Sequence, residues 1–115
     1  MTRQRSDNGK RRAIFDEACL DRFRGPGLCD FCKRLVSRRE PHHIIRRGLG
    51  GGSRYDVSYN LAALCAVFSG GLDCHSRVHD GHILRCEIVA VVSAREGVSY
   101  DELEDRLAVL KWGCR

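Results

Sequence analysis

A chain of 115 residues has room for one domain, and 43% hydrophobic against 30% charged residues describes a folded protein rather than a disordered one. The longest apolar run, residues 61–68, is far short of the ~18 residues of a membrane span, and the start MTRQRSDNGKRR carries no apolar stretch, so neither a spanning segment nor a secretory signal is expected and a cytoplasmic protein is. The net charge of +5 is uneven: residues 1–54 hold 14 Lys/Arg against 6 Asp/Glu and the remainder 6 against 9, a footprint suited to a polyanion, nucleic acid first.

Residues 1–12 read as a basic arm and residues 13–115 as a single domain. Ile14, Phe15, Ala18, Cys19, Leu20 and Phe23 recur at helical spacing and predict a helix over 13–24, which Gly25-Pro26-Gly27 ends. Residues 28–36 enclose a Cys-x-x-Cys turn. A strand is predicted over 40–45, a glycine-rich loop over 46–58, and a second short strand near 59–64. The histidines four apart, His75 and His79, predict a helix from 74 to about 82. Residues 83–96, closed by Gly97, predict another. Ser99-Tyr100-Asp101-Glu102 is a capping box that opens a last helix running to about residue 111, with Trp112 as its anchor on the core. The fold class expected is α+β.

Aromatics make up only 7% of the chain, so its apolar core is small, and seven cysteines suggest a second source of stability. In a reducing compartment an odd cysteine count favours metal ligation over disulfides. Cys29-x-x-Cys32 presents two thiolates from one tight turn, half of a tetrahedral zinc site. Cys65 and Cys74 are the candidates for the other half, with Ser69-Gly70-Gly71 looped out between them; otherwise Cys65 is a small buried hydrophobe. Cys19, Cys86 and Cys114 lack partners at ligand spacing and read as free thiols.

All five histidines fall in two clusters, His42-His43 and His75-x-x-x-His79-x-x-His82. Two imidazoles four residues apart share a helix face and can bind one ion. Adjacent histidines on a strand point to opposite faces, so His42 and His43 suit two different roles, one a ligand and the other a base. His82, beside Gly81, reads as a helix-end residue. Arg46, Arg47 and Arg54 flank the glycine-rich loop and are candidates for gripping phosphates. Gly48 to Gly52 is not a nucleotide-binding P-loop, because no Lys-Ser/Thr follows and no βαβ unit surrounds it.

Taken in order, Cys29-x-x-Cys32, His42-His43-Ile44, the Gly-Gly loop, Asn60-Leu61-x-x-Leu64-Cys65 and Cys74-His75-x-x-x-His79 resemble the HNH endonucleases, over roughly residues 28–82. The nearest likeness is to the small HNH proteins of tailed phages and prophages. The resemblance implies a ββα-metal core with a four-cysteine zinc knuckle, flanked by N- and C-terminal helices, the latter over 83–115. It also implies a DNA phosphodiester hydrolase that nicks or cuts with little sequence preference. His43 would be the general base, His42 and His75 would hold the catalytic ion with His79 as third ligand, and Asn60 would keep the base-bearing loop in register. The ion implied is Mg²⁺, Mn²⁺ or Ni²⁺, beside a structural Zn²⁺ on Cys29, Cys32, Cys65 and Cys74. The partners implied are DNA and, in phage DNA packaging, terminase and portal proteins. Two departures stand out: the insert 68–73, and His42 where the family often has Asp.

The competing reading is a zinc-stabilised, non-catalytic DNA-binding or adaptor module. It accounts for the cysteines and the basic half but leaves the histidine pair and the helical histidines without a task. A zinc deaminase or hydrolase lacks its Glu, since Glu40 does not stand in a His-x-Glu or His-Glu-x-x-His context.

Overall fold

The computed structural model describes residues 13–46, 54–66 and 72–112. Over these residues the chain is α+β, a three-stranded antiparallel sheet with four α-helices.

The first helix, α1 (Glu17–Asp21), is much shorter than the 13–24 expected from spacing. The backbone before it is committed elsewhere. Ile14 donates to the Arg54 carbonyl and accepts from the Asp56 N–H, and the Asp16 N–H donates to the Asp56 carboxylate. With these groups tied to the chain at 54–56, a helix cannot start before Asp16, whose side chain caps it by accepting from the Cys19 N–H.

The helix ends at Asp21 with Arg22 as its cap, before Gly25-Pro26-Gly27, which instead begins β1 (Gly25–Leu28), a strand that the sequence did not announce. Proline and glycine are poor strand formers, and they are tolerated here because β1 is an edge strand. Its partner β2 (Leu35–His43) starts five residues before the expected 40 and ends at His43. Charged Arg38, Arg39 and Glu40 hid its first half. Arg38 is exposed, Glu40 is half-buried, and half-buried Arg39 fastens β1 by donating to the Gly25 and Arg24 carbonyls.

After a 3₁₀ turn (Ser58–Asn60), β3 (Leu61–Cys65) pairs with the second half of β2, from Arg39↔Cys65 to His43↔Leu61. Every residue of β3 is buried. Leu61 and Ala63 pack against Leu20 and Phe23 of the N-terminal segment, while Ala62 and Leu64 face the main core. A strand covered on both faces reads as one continuous apolar run, which is how this segment appears in sequence.

The main core is closed by α3 (Arg85–Glu96) and α4 (Tyr100–Trp112) through Ile88, Val89, Val92, Leu103, Leu107 and Leu110. Gly97 adopts φ 74°, the left-handed conformation that ends α3, and Ser99 caps α4 by accepting from the Glu102 N–H. Trp112 corrects an expectation. It is 48% exposed, and the leucines at 103, 107 and 110 anchor α4 instead, because Trp112 lies on another face of the helix.

Candidate functional site

Two donor clusters flank α2 (Cys74–His79), a six-residue helix capped by Asp73. In the first, Cys29, Cys32, Cys65 and Cys74 bring their sulfurs within 4.8 Å of one another. The turn from Cys29 to Lys33 is closed by the Lys33 N–H on the Cys29 carbonyl, with Lys33 in the left-handed region at φ 66°. Asp30 docks this turn on β3: its N–H donates to the Ala63 carbonyl, and its carboxylate accepts from the Ala63 N–H at 2.8 Å and from Arg95 at 2.7 Å. Cys65 ends β3 and Cys74 opens α2, so the second pair is assembled from two elements rather than from one turn.

The donor set fits a structural metal ion such as zinc. Sulfurs at ~2.3 Å from a tetrahedral zinc stand ~3.8 Å apart, and Cys32 Sγ lies 3.9 Å from Cys65 Sγ. The Cys32 N–H points to Cys29 Sγ, the Cys74 N–H to Cys65 Sγ and Arg34 Nε to Cys32 Sγ, all donors that favour thiolates. Burial pushes the Cys65 and Cys74 thiols up. Burial raises Cys32 too, but the hydrogen bonds it accepts from Arg34 and its neighbours outweigh this and bring it down to about 6. Four thiols so close together could give up their protons only in exchange for a cation placed among them, so the cluster could hold a structural ion such as zinc.

The second cluster is His42, His75 and His79, whose ring nitrogens also lie within 4.8 Å of one another. His75 Nε2 and His79 Nε2 are 3.3 Å apart. Metal–nitrogen bonds of ~2.1 Å would set two imidazoles ~3.0–3.4 Å apart. Glu40 Oε1 is 3.2 Å from His75 Nδ1, where a carboxylate favours the tautomer that keeps the proton on Nδ1 and leaves the Nε2 lone pair facing the cluster. Burial, with the neighbouring imidazoles, holds His42 down at about 4 and shifts His75 in the same direction. Both are therefore neutral near pH 7, the form that can ligate.

His42 and His43 point to opposite faces of β2, yet both open onto one cavity of about 530 Å³ with His75, His79, Glu40 and Arg46. The strand edge explains this. β1 pairs with β2 only as far as Arg39, so the far end of β2 has one edge free of it. Pro41, with no N–H to donate, sits on that stretch, opposite an Ala63 whose own N–H and C=O are turned to Asp30.

Sequence reading did not single out the carboxylate beside His43. His43 Nε2 lies 2.8 Å from Asp56 Oδ1, both side chains buried. Burial raises the Asp56 carboxyl, but the hydrogen bonds it accepts from Arg54, the Asp16 N–H and His43 outweigh this and hold it down at about 2. An ionised carboxylate only accepts, so Nε2 carries the imidazole proton and Nδ1 is the basic nitrogen of the ring. Asn60, fully buried, accepts from the Ile45 N–H at 2.7 Å and donates to the Tyr55 carbonyl at 2.9 Å, joining the chain after His43 to the chain before Asp56.

Arg54 departs from the expected phosphate-gripping role. Its guanidinium is held by Asp56 and Glu17 and lies over the Phe15 ring, so it supports Asp56 instead of facing solvent. Arg46 is exposed at the cavity rim. Arg47, Cys114 and residues 67–71, which hold most of the insert, lie outside the described residues. Cys19 and Cys86 are free, and His82 is exposed beyond the end of α2. Among the described residues no helix is long and apolar enough to cross a membrane.

Compared with models of protein families, with curated proteins and with solved structures, the chain matches none.

Proposed function

We propose that this protein is a divalent-metal-dependent DNA endonuclease of the HNH kind, built on a ββα-metal unit made of β2, β3 and α2. The observation that carries the reading is the pairing, in one cavity, of a three-imidazole cluster with a carboxylate-oriented histidine that is not part of it. A zinc-stabilised binding module would give the buried His43–Asp56 pair only a structural task, whereas a nuclease would use it.

In this reading His43 Nδ1 removes a proton from water, the water oxygen attacks phosphorus, and the P–O3′ bond breaks. Asp56 holds the ring in the required tautomer and stabilises the imidazolium that forms. His42, His75 and His79 would hold the ion, which supplies charge stabilisation for the scissile phosphate and the departing oxygen. Three imidazoles favour Mn²⁺ or Ni²⁺ over the oxygen-loving Mg²⁺. Arg46 would contact a flanking phosphate without reading sequence. A place in phage DNA packaging, beside terminase and portal proteins, goes with this reading and draws on the resemblance.

The test is relaxation of supercoiled plasmid by zinc-loaded protein with Mg²⁺, Mn²⁺, Ni²⁺ or EDTA. Nicking that requires the added ion and is absent in His43→Ala is the expected result. DNA binding without cutting under every ion would favour the zinc-stabilised binding module. The histidine cluster is checked separately by calorimetric titration of Ni²⁺ into zinc-loaded protein: His79→Gln should weaken binding at least about tenfold, and an unchanged affinity would remove His79 from the site.

A further inference from the structure

A second groove, of about 480 Å³, adjoins the histidine cavity and shares Arg46 with it. Its walls come from the chain just after β2 and from the exposed side of the α3–α4 pair, and they include Ile45, Arg46, Arg85, Glu104, Lys111 and Trp112. We propose that this groove binds a single-stranded nucleotide next to the scissile phosphate, with its base stacked on Trp112 and its phosphates on Arg46 and Lys111. The inference rests on the nuclease reading for its place in the reaction, but the binding chemistry is the groove's own.

Charge and shape select this occupant. Arg85 is neutralised by a two-pronged pair with Glu104, at 2.8 and 3.0 Å. Among the described residues neither Arg46 nor Lys111 has a carboxylate within salt-bridge distance, so within them the groove carries two unpaired cations beside Ile45, Leu107 and Ala108. Trp112 is nearly half exposed although it belongs to a helix whose leucines are buried, and the Lys111 ammonium lies 5.2 Å from its ring centre. A large aromatic face beside cations is the arrangement that stacks unpaired bases and tracks their backbone. The volume lies in the ~300–1,000 Å³ range of small-ligand pockets and suits one nucleotide rather than a duplex.

Trp112 is the only tryptophan in the chain, so its emission reports this groove alone. Zinc-loaded His43→Ala protein is titrated with a short oligothymidylate and, separately, with a duplex containing the same strand. Saturable quenching by the single strand that weakens as salt is raised is the expected result. By anisotropy of a labelled strand, Trp112→Leu should bind at least about five-fold more weakly, while Trp112→Phe, which keeps a ring to stack on, recovers most of the loss. Lys111→Glu should weaken binding to a similar extent, with helix content by circular dichroism unchanged in each variant. Emission that stays constant while the strand binds, equal quenching by the duplex, or undiminished binding by Trp112→Leu would overturn the proposal. Failure of the nuclease reading looks different, as plasmid left intact under every ion while the single strand still quenches Trp112.

Discussion

Serine in place of Cys74 is expected to lower the melting temperature by at least about 10 °C and to take bound zinc with it. Cys74, Cys65 and Cys29 are essentially inaccessible to solvent and belong to the main core, where they touch the strands and helix that the cluster joins. Each thiol comes from a different part of the chain: the turn after β1, the end of β3 and the start of α2. An ion among them therefore ties three elements together, and its binding free energy is folding free energy. Losing one ligand weakens that tie and also leaves the other thiols crowded without their cation. A loss of 2 kcal/mol or so would already shift the midpoint by about 8–16 °C in a domain near this size. Thermal melts with colorimetric zinc release on the wild type and on Cys74→Ser or Cys29→Ser check this together. Wild-type melting with full zinc content in both variants would dismiss the four-cysteine site.

The largest effect on activity is expected at His43 and its carboxylate. His43→Ala should slow metal-dependent nicking by about 10²–10⁴-fold, the usual share of a positioned general base. Asp56→Asn should slow it by about 10–100-fold, the scale of losing an outer partner that orients an imidazole. Asparagine is nearly the same size but carries an N–H₂ group as well as a carbonyl, so it no longer dictates which ring nitrogen of His43 holds the proton. The loss should appear in kcat, with Ni²⁺ affinity and DNA affinity retained, because Asp56 touches neither the imidazole cluster nor the cavity rim. Single-turnover nicking rates, compared with calorimetric Ni²⁺ binding on the same preparations, separate a positioning role from a merely structural one. Undiminished kcat in Asp56→Asn would remove it from the mechanism, and a parallel fall in Ni²⁺ affinity would mark it as support for the fold alone.

Much of the chemistry could be read from residue identity and short spacing. Cys29-x-x-Cys32 and His75-x-x-x-His79 lie within one turn or one helix, so local geometry already brings their ligand atoms together, and few residue types can supply them. The last two helices were legible for the same reason: capping at Ser99, a left-handed stop at Gly97, and apolar residues at helical period are all local signals. What spacing could not supply was pairing across the chain. Arg54 sits beside a glycine-rich loop like a phosphate-binding arginine, yet Glu17, 37 positions away, and Asp56 claim it. Asp56 stands beside His43 through contacts distant in sequence: Ile14 and Asp16 bind the chain at 54–56, the same contacts that cut α1 short, and Asn60 ties Tyr55 to Ile45. Glu40, which stands in no His-x-Glu or His-Glu-x-x-His context, comes 3.2 Å from His75 because alternation along β2 sets it on the same face as His42. β1, with two glycines and a proline in four residues, has no strand propensity of its own and exists because Arg39 and the first half of β2 hold it. The candidate ligands were thus marked by the chemistry of their own side chains. The groups that orient them were chosen by the tertiary fold, since a carboxylate acquires its role from what stands about 3 Å away and not from its neighbours in sequence.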